Sequence, residues 1–295
     1  MHPAYSVIAF TTASGMGYGL LILLGVLTPA GALPANPWLG ALALLLGLAL
    51  VTGGLLSSTL HLGHPERAWR AMSQWRSSWL SREGVAALAV YPPVLLFAIG
   101  WVLLGDASGF WAAMGVLGAL LSLVTVACTG MIYASLTTIR QWHHPLVLPV
   151  YIGLALATGA LLLQVLSVLF GYGVSLVAWI AVTAVAGSLA LKLLYWASID
   201  RGASSSSPET ATGLGRIGKV TQLEAPHSET NYVMSEMGYK VARKHARRVR
   251  LLVVLLLFLV PGAASLIVAS LGGGVLAGLV ALVGLVAAGA GILAE

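Results

Sequence analysis

Apolar residues in this chain come in long runs, and the runs set the expected architecture. Eight stretches bounded by Gly, Pro or charge fall at about 6–29, 38–60, 85–104, 110–139, 146–169, 174–197, 250–270 and 272–293. A helix of about 20 residues crosses a hydrocarbon core of roughly 30 Å, so each run is long enough to span a membrane. The pattern predicts an all-α, polytopic integral membrane protein of about eight transmembrane helices, with 1–295 forming a single membrane domain. The connections at 30–37, 105–109, 170–173 and 271–274 are so short that the helices they join must be antiparallel neighbours. Gly272, Gly273 and Gly274 are the only break in one long tract, so the last two spans are the least sharply divided.

Composition agrees with the pattern. Of 295 residues, 59% are hydrophobic and 8% charged, against roughly 25% charged in an average soluble domain. A water-facing surface cannot be built from that remainder, which excludes a soluble enzyme. Residues 1–10 lack a basic leader region, and no small-x-small cleavage site ends the first run, so the first span is expected to stay as a helix. The single cysteine, Cys128, cannot form an internal disulfide or ligate an iron–sulfur cluster, which takes about four cysteines.

Charge placement adds sidedness. Of 24 charged residues, 19 lie in 61–84 and 201–250, which eight spans put on the same side of the membrane. Fourteen of the 15 Lys and Arg belong to that side's loops and helix junctions, and Lys192 sits within two turns of it. The positive-inside rule makes this face, with both termini, cytoplasmic. No nucleic-acid recognition module or interleaving of aromatic and basic residues accompanies the basic balance, so nucleic acid is not an expected partner. Anionic lipid attraction explains much of it. The long loop 201–249 between spans six and seven exceeds a connector. It opens with a Ser-rich linker at 203–208, and 229–250 has helical spacing, with Val233, Met237 and Val241 on one stripe and Lys240, Arg243, Lys244, Arg247 and Arg248 around it. That is either an interfacial helix on lipid or a docking face for an acidic partner.

Little chemistry is left inside the spans. With these boundaries no Asp or Glu lies within any of them, which weakens an ion-coupled transporter. Seven histidines, His2, His61, His64, His143, His144, His227 and His245, all avoid span centres, so a buried bis-histidine haem is not expected. His143 and His144 could bind zinc, but adjacent histidines before a proline more often mark a polar helix end, and no metal site is assigned. One polar patch remains, His61-Leu-Gly-His64-Pro-Glu66-Arg67-Ala-Trp69-Arg70, continuing through Ser73, Gln74, Trp75, Arg76, Trp79, Ser81, Arg82 and Glu83. His61 ends the second span and Glu83 begins the third. A histidine and a carboxylate beside tryptophans suit a site that binds an amphipathic ring and exchanges protons with it. The plainer alternative is that Trp and Arg anchor the interface while Glu83 favours a helix start through its dipole.

The opening His2-Pro3-Ala4-Tyr5-Ser6-Val7-Ile8, the run from Phe10 to Gly19, the His61-to-Arg70 block and Ser78-Trp-Leu-Ser-Arg-Glu-Gly84 together resemble the membrane-anchor subunit of dimethyl sulfoxide reductase-type molybdoenzymes. The likeness extends to Tyr133, to the run from Ile139 to His144, and to Gly213-Leu-Gly-Arg-Ile-Gly-Lys219. It implies a three-subunit complex in which a molybdopterin catalytic subunit and an iron–sulfur subunit are partners, and the anchor exchanges electrons with ubiquinone or menaquinone. It implies no haem or cluster in this chain. It also implies that His61 and Glu83 act at the quinone site. In that reading Arg67, Trp69, Trp79 and Ser81 hold the ring and its headgroup, and Tyr133 and Arg140 from the fourth span complete the wall. Arg70, Arg76, Lys240, Arg243, Arg247 and Arg248 would meet the iron–sulfur partner. The 201–249 loop is similar to that of cytoplasm-facing sulfite-oxidising relatives, which favours sulfite or other reduced-sulfur oxidation over respiratory dimethyl sulfoxide reduction. Two rivals differ in class: a tether that never touches quinone, and a small-molecule transporter.

Overall fold

The computed structural model describes residues 5–60, 62–201, 207–224, 229 and 244–295, and every extended element among them is a helix. Eight helices are long and apolar enough to cross a membrane: α1 Tyr5–Leu27, α2 Pro37–Thr59, α3 Trp79–Leu103, α4 Gly109–Ala134, α5 Val147–Phe170, α6 Val174–Arg201, α7 Ala246–Leu271 and α8 Val275–Ala294. The chain is a multi-span membrane protein. Large apolar side chains such as Leu45, Leu88, Leu120 and Leu279 are exposed on its outside, a surface that suits hydrocarbon and would be a liability in water.

Local chemistry sets the helix ends. At α2, Asn36 caps the first turn, its side-chain oxygen accepting from the Trp38 and Leu39 amides at 3.0 Å, with Pro37 in the first turn. At the end of α5, Gly171 takes a left-handed φ of 73° that side-chain-bearing residues avoid, and the chain reverses into α6 within three residues. A π-helical turn ends α3 at Ile99–Leu103 and interrupts α7 at Val254–Leu259.

Helix α1 runs through the middle, packed on α2, α4 and α5, while α3 packs on α4, α6 on α5, and α7 and α8 close the far side against α5 and α6. Small residues permit this. A Cβ on Gly19 would overlap the Ala155 carbonyl, and one on Gly159 would overlap the Gly19 backbone, so α1 and α5 touch backbone to backbone there. A buried hydrogen bond from Ser265 Oγ to Gln164 Oε1, 2.7 Å, ties α7 to α5.

The span boundaries shift by about a turn or more at the start of α3, the end of α4, the end of α6 and the start of α7, and the first two of these move candidate residues. Helix α3 begins at Trp79, not near 85, so Glu83 lies inside a span and is buried. Its polar first turns are tolerated because the preceding loop satisfies them. Ser81 Oγ donates to the Ala71 carbonyl, and Arg82 donates to the carbonyls of Trp75 at 3.0 Å and Arg76 at 2.7 Å. Helix α4 ends at Ala134, not 139, so Arg140 belongs to the following loop, where its Nη2 donates to the Ile199 carbonyl at 2.9 Å.

Candidate functional site

Below the Gly19–Gly159 contact α1 and α5 diverge, and a cavity of about 560 Å³ opens between α1, α4, α5, α6 and the end of α8. That volume lies within the roughly 300–1,000 Å³ of small-molecule sites. Its lining includes the first turns of α1 and α5, the last turns of α4 and α8, Lys192 and Tyr195 of α6, and Trp142 from the α4–α5 loop. The cavity therefore reaches the end of the bundle that carries the basic loops. It extends inward to Tyr18, about 20 Å along α1 from Tyr5 at 1.5 Å per residue.

Three groups give the cavity its chemistry. Tyr133, Trp142 and Tyr151 form an aromatic wall: Tyr133 stacks on Tyr151 with centroids 5.6 Å apart and meets Trp142 edge-on at 5.1 Å. Thr129 lies on the α4 wall, and its hydroxyl donates to the buried Glu83 carboxylate behind it, with the Thr125 carbonyl as an alternative acceptor at 3.1 Å. Tyr18 borders the cavity with a side chain 2% exposed, and its hydroxyl has only the Thr125 side chain beside it, without a hydrogen bond of full geometry. A buried hydroxyl so weakly held keeps hydrogen-bonding capacity for a ligand oxygen brought beside it. On the α6 side, Lys192 lies against Tyr195 and Trp196 and is ion-paired with Glu295 at the end of α8.

The residues singled out in the sequence separate into two places. Glu83 reaches the cavity through Thr129, and Tyr133 lines it. Arg67, Trp69, Trp79 and Arg140 do not line it. Arg67, Trp69 and Arg70 are exposed on the 3-10 helical segment Pro65–Gln74, with Arg70 over the Trp69 ring at 5.5 Å. His64 and Arg67 face Glu66 at 3.0 and 3.6 Å. Arg76 lies over Trp75 and Arg82 over Trp79, while Ser81 fastens the loop. His61 lies outside the described residues, but the end of α2 can be placed: Ser57 Oγ donates to the Ser6 carbonyl at 3.0 Å, beside the Val7 and Ile8 that line the cavity. Lys240 and Arg243, with most of the expected 229–250 helix, also lie outside the described residues. Arg247 and Arg248 are exposed at the start of α7. His143 and His144 serve separate partners, the Ala134 carbonyl and the Ser198 hydroxyl, each at 2.8 Å.

Sequence reasoning missed Tyr18, Thr129, Trp142, Tyr151, Lys192 and Tyr195. A signal was present in the spacing. Thr11, Gly15 and Tyr18, then Thr125, Thr129 and Tyr133, then Tyr151, Ala155 and Thr158, then Lys192 and Tyr195 recur at three and four residues, the period of one helix face.

Comparison with known proteins bears on what this arrangement serves. The chain is 32% identical to the C subunit of sulfite dehydrogenase from Allochromatium vinosum over 284 residues, covering 88% of this chain and 85% of that one. No solved structure matches it. The model of the DMSO reductase anchor subunit (DmsC) matches residues 1–284, and the chain, with eight apolar helices and a polar-lined cavity at its charged end, belongs to that family of anchor subunits.

Proposed function

We propose that this chain is the membrane anchor of a molybdoenzyme complex, and that its cavity receives a quinone or quinol of the bilayer while an iron–sulfur subunit docks on the charged end. The carrying observation is the cavity itself: an aromatic wall for an amphipathic ring, the weakly held Tyr18 hydroxyl for a ring oxygen, and Glu83 connected to the lining by Thr129. These residues suit the ligand. A ring carbonyl asks for a donor and a ring hydroxyl for an acceptor, and a tyrosine hydroxyl serves either.

The work of this chain's own groups is to bind, orient and carry protons, since the molybdopterin and clusters belong to the partners. Tyr133, Trp142 and Tyr151 present faces to the ring. Thr129 Oγ relays a proton between the cavity and Glu83, which stands four residues inside α3 and hence close to the charged end. Proton exchange is therefore with the side that bears the basic loops, cytoplasmic by their charge. His61 remains a candidate for the same duty from the adjacent end of α2. The exposed Arg67, Arg70, Arg76, Arg247 and Arg248 form the surface that meets the iron–sulfur partner.

The resemblance to the sulfite dehydrogenase chain, with the long 201–249 loop, favours sulfite as the catalytic subunit's substrate and quinone as the electron acceptor. The family description favours the reverse, quinol oxidation for dimethyl sulfoxide reduction. Assembled complex in native membranes separates the two, by sulfite-driven reduction of a short-chain quinone against quinol-driven reduction of dimethyl sulfoxide.

Tyr18→Phe is the sharpest test of the site. Because the nearest protein partner of the hydroxyl is the Thr125 side chain, assembly read by dye-linked activity separates a loss within the chain from a loss at the ligand. The quinone KM should rise about 2–12-fold, the worth of one neutral hydrogen bond. Glu83→Gln should lower quinone-linked turnover by about 10²–10⁴-fold, with dye-linked activity of the partner subunits measuring how much complex is assembled. Wild-type quinone kinetics in both variants would overturn the assignment.

A further inference from the structure

Lys192 has no duty in the reading above. It lies more than two turns from the end of α6, its side chain is 6% exposed, and it borders the cavity. An intramembrane cation is expensive, and its usual explanation is a functional site with a named counter-charge. Here the counter-charge is Glu295, whose side chain is 18% exposed and which borders the same cavity from the end of α8. The ammonium also faces the rings of Tyr195 at 4.7 Å and Trp196 at 5.3 Å. A lysine carries three donors, and a single carboxylate partner leaves donor capacity for an oxygen in the cavity, the two rings being contacts with the charge at 4.7 and 5.3 Å.

The placement is across the cavity from Tyr18 and Thr129 in the sense of the fold. Thr129 stands on α4 and Lys192 on α6, and both helices pack against α5, whose Tyr151, Leu154 and Thr158 line the space between them. The cavity thus has a polar group on each flank of α5. A ring with one oxygen needs one such pole. A para-quinone has two oxygens at opposite ends of its ring and needs two.

Resting on the quinone reading of the cavity, we propose that Lys192, with Glu295 as its counter-ion, is the second pole of the ring site and donates a hydrogen bond to one carbonyl oxygen of a para-quinone whose other oxygen meets Tyr18. The pair suits both oxidation levels: the ammonium donates to a carbonyl, and the carboxylate accepts from the hydroxyl of the reduced ring. It binds and orients, and no proton or electron transfer is assigned to it. The plain alternative is a structural clasp of α8 on α6.

The test uses the assembled complex in native membranes and titrates a decyl-substituted benzoquinone, with the partner's dye-linked activity reporting assembly. Lys192→Met should raise the quinone KM about 10–100-fold, the loss expected for a hydrogen bond to a charged donor, and Lys192→Arg should recover much of it. A clasp alone would lower assembly and leave the KM of the surviving complex unchanged. Should Lys192→Met fail to assemble because Glu295 is left unpaired, the double variant Lys192→Met with Glu295→Met removes both charges and is read by the same criterion. A KM within about twofold of wild type, or an arginine variant no better than methionine, overturns the inference. Tyr18→Phe run beside it locates the failure: if Tyr18→Phe raises the KM and Lys192→Met does not, the cavity reading stands and this pole is wrong, and if neither does, the cavity reading fails as well.

Discussion

Gly15 offers a way to close the cavity without disturbing the fold. It borders the cavity, and a Cβ added there meets nothing within 4 Å. A leucine at this position replaces a glycine in a helix interior, which favours α1 by up to about 1 kcal/mol. Seated in the cavity it gains about 1.5–3 kcal/mol of apolar contact, which an incoming ring must give up to displace it. At 1.4 kcal/mol per tenfold, Gly15→Leu should raise the quinone KM about 10–100-fold. Gly15→Ala, with only a methyl group worth about 0.8 kcal/mol, should change it by no more than about fourfold. The assay is a quinone titration of membranes carrying assembled complex, normalised to dye-linked activity. Normal assembly with a KM within about twofold of wild type for Gly15→Leu would refute the reasoning, because a ring in this cavity cannot be indifferent to a branched side chain placed in it.

Four residues along the same helix the outcome should invert: Gly19→Ala forces a methyl into the Ala155 carbonyl and should destabilise the detergent-solubilised protein by about 1–3 kcal/mol, read as a lower midpoint of thermal unfolding. Reporter fusions after Glu295 should behave as cytoplasmic and fusions within 105–109 as periplasmic, and the opposite pattern would reverse the orientation. Reversing Arg247 and Arg248 to Glu should release the iron–sulfur subunit from membranes, more readily as salt rises because exposed pairs are screened beyond about 8–10 Å, and full retention would assign these residues to lipid contact. Asp200→Asn removes the partner of Arg250, a bidentate pair at 2.6 and 3.0 Å between side chains 55% and 37% exposed, and should cost less than about 1 kcal/mol in unfolding experiments.

The eight spans were legible because each requires about 20 consecutive apolar residues, a demand the bilayer places on sequence directly. Their ends were less so where a polar residue is satisfied from outside the helix. Ser81 and Arg82 are held by carbonyls of the preceding loop, and Glu83 by a threonine 46 residues away on α4. A hydropathy reading treats all three as a boundary, although the helix has already begun. Lys192 was counted as one more topogenic charge for the same reason, since its counter-ion lies 103 positions along the chain at the end of α8.

The weight given to the loop from His61 to Arg82 has a physical lesson in it. That stretch is the most polar in the chain, but Arg67, Trp69 and Arg70 are exposed at the membrane interface, where water and lipid headgroups satisfy such groups without any ligand. Inside hydrocarbon the same economy is not available. A hydroxyl or ammonium there must be bonded internally, so the informative residues are the few polar ones embedded in apolar runs, not the many that separate them. Most of the intramembrane hydroxyls answer to this rule by bonding a carbonyl one turn back, as Ser14, Ser122 and Thr158 do at 2.6–2.8 Å. Such residues are silent about function. Tyr18 cannot reach its own backbone and has only the Thr125 side chain of α4 beside it, and Glu83 and Lys192 are bonded only across helices. Sorting intramembrane polar residues by whether local backbone can satisfy them thus sets aside most serines and threonines and keeps a short set, in which the Ser265–Gln164 and Thr52–Tyr91 pairs join helices away from the cavity while Tyr18 and Lys192 line it and Glu83 is bonded to its wall.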